Sequence, residues 1–116
     1  MRSRQDLLAA HCRPLEGEAA LTDAQVAEQL LAVPQWRHAV GALERSYAFA
    51  NYYETIAFVN ALAWIAHRED HHPDLAVSYK HCTVRFNTHS VGGISINDFI
   101  CAAHADALYS RETPAQ

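Results

Sequence analysis

The sequence contains no long apolar run, no excess of positive charge and no paired-cysteine motif, and each absence removes a class of protein. No uninterrupted apolar stretch is long enough to span a bilayer, so no transmembrane helix is expected. Near the amino end, Met1-Arg2-Ser3-Arg4-Gln5-Asp6 is charged, and the apolar stretch Leu7 to Ala10 is cut short by His11 and Arg13. That is not a secretory core, and a cytoplasmic location is expected. Nine Lys and Arg stand against thirteen Asp and Glu, a net charge of −4. Such a balance supplies no global positive field for nucleic acid or for an anionic membrane surface. The three cysteines, Cys12, Cys82 and Cys101, are odd in number, widely spaced and free of any C-x-x-C pair. They imply neither a disulfide framework nor a zinc ribbon, and read as free thiols filling the interior. There is no internal repeat, low-complexity tract or linker. With 116 residues, half of them apolar, the chain can build one core and not two. A single domain over residues 1–116 is expected, ordered over about 5–110, with the polar stretch beyond Ser110 fraying.

The local patterns describe an α+β order. Thr22 with Gln25 forms a capping box, and Leu21 and Val26 are placed as a hydrophobic staple, so a helix starts here and ends at Val33-Pro34. Trp36 to Val40 and Leu43 to Ala50 suit two strands joined at Gly41-Ala42, with Leu43, Tyr47 and Phe49 on one face. Asn51, with Glu54 three residues on, caps a long helix in which Phe58, Leu62 and Ile65 recur at helical spacing beside Ile56, Val59, Ala63 and Ala66. So broad an apolar surface predicts cover from the sheet and from another subunit, hence a homo-oligomer. After Pro73, alternation at Leu75, Val77 and Tyr79, then at Cys82, Val84 and Phe86, gives one long strand or two short ones. Gly92-Gly93 turns the chain, and Ser95 opens a last helix lined by Phe99, Ile100, Ala103, Ala107 and Leu108. The expectation is an antiparallel sheet of about four strands covered by helices.

Eight histidines are many for this length, and four fall between His67 and His81. The run His71-His72-Pro73 stands where the long helix must end, and His89 follows the strand from Cys82 to Thr88. A helix end and a strand end can bring distant imidazoles to one cleft. Taken alone, His71-His72 also suits a polar helix end, where imidazolium complements the dipole. His67 and His71 share the i, i+4 spacing of a helical zinc pair that His72 or His89 could complete, but Arg68 between them disfavours a cation. His11, His38, His81 and His104 follow no pattern and read as surface or satisfied histidines.

The set His71-His72-Pro73, Tyr79, Thr88-His89 and Asp98 resembles the signature of the pterin-4a-carbinolamine dehydratase family, and the order of helices and strands follows it over nearly the whole chain. The resemblance implies a small α+β enzyme without metal or other cofactor, assembled as a homodimer or homotetramer. Its substrate would be a 4a-hydroxytetrahydropterin, dehydrated to the quinonoid dihydropterin downstream of an aromatic amino acid hydroxylase. The family's active-site histidines fall on His71, His72 and His89, and its supporting aspartate on Asp98. Loss of hydroxide from C4a needs an acid, and loss of the ring-nitrogen proton needs a base. Imidazoles near neutrality can be either. His71 and His89 are assigned these roles and His72 substrate orientation, while Asp98 fits equally a cap for the last helix. Tyr79 is expected in the core or in the pocket wall. Relatives that serve as dimerisation cofactors or assembly factors leave a scaffold role as the alternative.

Overall fold

The computed structural model describes residues 1–112. Helix α1, Arg4–Ala9, was not anticipated, yet its cause is local: Ser3 accepts from the Asp6 amide while the Asp6 carboxylate accepts from the Ser3 amide. Helix α2, Asp23–Gln29, starts at the Thr22–Gln25 box and tightens into a 3-10 turn at Leu30–Ala32 before Val33-Pro34. Strands β1, Arg37–Ala39, and β2, Ala42–Ala48, pair antiparallel with Ala39 opposite Ala42. The turn is therefore Val40-Gly41, one residue earlier than the sequence suggests. Both residues have positive φ, 49° and 73°, as a two-residue turn matching strand twist demands.

Helix α3, Tyr52–Glu69, follows its Asn51 cap. Strands β3, Asp74–Val77, and β4, His81–Phe86, complete a sheet of order β1-β2-β4-β3, antiparallel throughout. Helix α4, Ile96–Glu112, closes the fold, and the part of the tail beyond it lies outside the described residues. One sheet face presents Leu43 and Tyr47 of β2 with Cys82, Val84 and Phe86 of β4, all buried against α3 and α4. The other face is polar: Arg85 Nη1 donates to Glu44 Oε1 at 2.6 Å, and the Ser46 and Thr83 hydroxyls meet at 2.6 Å. A sheet covered on one side needs this alternation.

The core centres on Phe58 and Leu62 of α3 and Phe99 of α4, all fully buried. Truncating Phe58 to alanine is expected to cost about 3–5 kcal/mol. One sequence reading fails at the margin. Edge strand β3 is exposed along its length. Beyond it Tyr79 is 64% exposed and stacks on Tyr52 rather than lining core or pocket. The alternation there is real, but no layer among the described residues covers it.

Candidate active site

The corner that carries the histidines is made by backbone handedness. Helix α3 ends at Asp70, which takes φ 51° and ψ 44°, and the amides of Asp70 and His71 bond back to the carbonyls of His67 and Ala66. A left-handed residue closes the last helical turn and sends the chain away from the axis. The exit thus falls three residues before Pro73, and the proline keeps the helix from resuming. His71 is thereby laid parallel to the Phe86 ring, 5.9 Å away at an interplanar angle of 10°.

The His71 ring is fixed from the far side by Asp98, whose Oδ1 lies 2.6 Å from Nε2. The Asp98 side chain is fully buried, and its other oxygen accepts from the Thr88 hydroxyl and from the Ser95 amide, each at 2.9 Å. Asp98 is thus at once the cap of α4 and the partner of an imidazole. A carboxylate oxygen accepts, so the imidazole donates to it through Nε2, and Nδ1 is the ring nitrogen not engaged by Asp98. Thr88 and Ser95 bridge at 2.7 Å, tying the end of the β4 segment to the start of α4 behind the imidazole.

His71 borders a cleft of about 300 Å³, and Thr88, Ser90 and Asn97 line it with the amino-terminal segment Cys12 to Glu16. His89 stands between the two cleft-lining residues Thr88 and Ser90, in a single 3-10 turn, His89–Val91. Both His72 and His89 are exposed, and neither side chain makes a hydrogen bond among the described residues. The structure therefore brings His71 and Asp98 together and leaves the other two imidazoles uncommitted. His67 packs near Trp64 on the helix surface, and no group of three or more potential metal ligands gathers among the described residues.

Sequence reasoning missed the amino-terminal wall. Glu69, only 1% exposed, anchors it: His11 Nδ1 donates to the carboxylate at 2.8 Å, the Cys12 amide at 2.7 Å and Arg68 at 3.0 Å. Burial raises the carboxyl's pKa, but these donors outweigh it and hold the group at about 2. Asn97 completes the attachment, donating to the Arg13 carbonyl at 2.8 Å and accepting from the Arg13 amide at 3.3 Å. The Ser3-x-x-Asp6 box could have announced a folded amino end, but nothing in the pattern says where the returning chain lies. Cys12 is correspondingly not a buried filler. It is partly exposed in this wall, unlike Cys82 and Cys101.

The arrangement is that of a single-domain α+β protein with a carboxylate-oriented imidazole beside a cleft, and comparison narrows the class. The sequence profile of the family described as pterin 4 alpha carbinolamine dehydratase matches residues 19–108. A Chromobacterium violaceum protein is 50% identical over 106 residues, spanning 91% of this chain and 98% of its own. A Xanthomonas oryzae pv. oryzae protein is 57% identical over 105 residues, spanning 88% and 89%. Both are provisionally named pterin-4-alpha-carbinolamine dehydratase. The crystal structure of a transcriptional coactivator/pterin dehydratase from Brucella melitensis superposes with TM-score 0.76 at 28% identity, over 78% of this chain and 99% of that one. A pterin dehydratase-like RuBisCO assembly factor of the alpha-carboxysome shares the fold alone, with TM-score 0.58 at 24% identity over 66% and 90%. The chain belongs to the pterin-4-alpha-carbinolamine dehydratase family.

Proposed function

We propose that this protein dehydrates 4a-hydroxytetrahydropterin to the quinonoid dihydropterin by imidazole acid–base chemistry, without metal or other cofactor. The observation that carries the reading is His71, held through Nε2 by a buried carboxylate at the wall of a cleft with room for a bicyclic ring. Orientation by Asp98 leaves Nδ1 to exchange a proton with the substrate. His89, on the turn between two cleft-lining residues, supplies the second imidazole, and His72 on the corner orients the ring. One imidazole protonates the departing C4a hydroxyl while the other takes the proton of the adjacent ring nitrogen. Positioned proton transfer of this kind contributes roughly 10²–10⁴-fold.

Such a reaction returns the pterin to the cycle of an aromatic amino acid hydroxylase, and we place it in the cytoplasm. No described helix is long and apolar enough to cross a membrane. A homodimer or homotetramer is supported by the outer face of α3, where Tyr53 and Trp64 are 85% and 63% exposed, and by the uncovered edge β3. The Brucella melitensis protein's description as a coactivator supports a scaffold role as the second reading.

Ultraviolet monitoring of carbinolamine decay tests the first. Wild type should outpace buffer, and His71→Ala and His89→Ala should each lose most of that acceleration. Three rates equal to buffer would leave only the scaffold.

A further inference from the structure

The amino-terminal wall of the cleft is attached to the body by hydrogen bonds, one of them between two thiols. Cys12 Sγ lies 3.5 Å from Cys101 Sγ, although the two residues are 89 positions apart. Cys12 is partly exposed in the wall, Cys101 is fully buried on α4, and both thiols are free. The Cys12 sulfur also sits 3.6 Å from the Asn97 carbonyl, so it is held against the first turn of α4 beside the Asp98 cap.

We propose that Cys12 and Cys101 are a reversible thiol–disulfide pair whose oxidation, by a low-molecular-weight disulfide, locks the wall formed by residues 12–16 onto α4. The Cys12 thiolate attacks one sulfur of the small disulfide, forming a mixed disulfide and releasing one thiolate. Cys101 then gives its proton to that thiolate, and its sulfur attacks Cys12 Sγ, expelling the second. Two protein thiols and one small disulfide become one protein disulfide and two small thiols. The hydrogen bond with Cys12, followed by burial, pushes the Cys101 thiol up, so Cys12 meets the oxidant first and Cys101 resolves the adduct. Closing the gap from 3.5 Å to a bond of about 2.05 Å draws the wall inward by an ångström or so and fixes it.

The test uses the full chain incubated with oxidised glutathione, alkylated under denaturing conditions and weighed intact. The expected product is a monomer lighter by two hydrogen atoms before alkylation, with Cys82 as the single alkylated thiol and a peptide map joining Cys12 to Cys101. Dithiothreitol should reverse it. The oxidised form should show slower amide exchange over residues 10–16 and a thermal midpoint raised on the order of 10 °C. Cys101→Ala should stop at a glutathione adduct on Cys12, and Cys12→Ser should form no cross-link. A persistent glutathione adduct on wild-type Cys12, three alkylated thiols, or disulfide-linked dimers would each overturn the pair. None of these readouts depends on dehydratase activity.

Discussion

Two buried aspartates lie eight residues apart on α4 and serve opposite ends. Asp106 is closed in on itself: it accepts from Trp36 Nε1 at 3.0 Å, Arg45 Nη1 at 2.6 Å and the Tyr47 hydroxyl at 2.5 Å. Its other oxygen meets Arg4 Nη1 of α1 at 3.5 Å, so these partners belong to the framework, and burial with the neighbouring carboxylate pushes the Tyr47 phenol far up, so it stays a donor. Asp98 is equally buried, but one of its oxygens holds a side chain that borders the cleft. The difference is in the partner and not in the acid. A carboxylate held by donors of the framework stabilises, whereas one that shares its bonds with a cleft imidazole orients a side chain at the cleft wall.

The contrast breaks most sharply at Asp106→Ala, which leaves a guanidinium, an indole N–H and a phenol unpaired. A loss of about 3–5 kcal/mol in urea unfolding is expected, with the dehydration rate per folded molecule little changed. Asp98→Asn should do the reverse, costing little more than about 1 kcal/mol of stability while lowering kcat roughly 10–100-fold with KM nearly constant, as carbinolamine kinetics will read.

Between these extremes stands Glu69, buried like the aspartates but tied to the amino-terminal wall. Its carboxyl is held at about 2 against an ordinary 4.5, so its stabilisation is complete above pH 4.5 and is lost as pH falls toward 2. Glu69→Gln should therefore be less stable than wild type by on the order of 2–3 kcal/mol at pH 7, with the gap narrowing below pH 4.5 in paired urea titrations. The smallest effect is expected outside all three networks. Val40 is 94% exposed yet left-handed, so Val40→Asn should raise stability by about 1 kcal/mol in thermal unfolding and leave the rate untouched.

The parts of the fold legible in the sequence were those specified by neighbours in the chain. The Thr22 and Asn51 caps and the alternation of Cys82, Val84 and Phe86 depend on spacings of a few residues and appear as read, and the hairpin appears with its turn one residue earlier. The failures arise where distant segments decide. Whether Tyr79 is covered depends on a layer that the described residues do not provide. The wall at residues 12–16 depends on Glu69 and Asn97, more than fifty residues downstream. At the site, the motif pointed to Asp98 as both cap and histidine partner, and both bonds are present. Thr88 was visible only as a letter beside His89; that its hydroxyl braces the aspartate follows from the Thr88–Gly93 bridge, which no periodicity encodes.

Asp70 carries a consequence for how this sequence can drift. Its mirror-image backbone aims the following imidazole, and only residues that tolerate that conformation can replace it without cost. Aspartate, asparagine and glycine adopt it at least cost, whereas a β-branched residue adds strain, as Val40 does in the hairpin turn. A valine or isoleucine there would strain the corner that sets the His71–Asp98 bond, so the geometry of the cleft wall depends on the backbone of a residue whose side chain is not part of that bond.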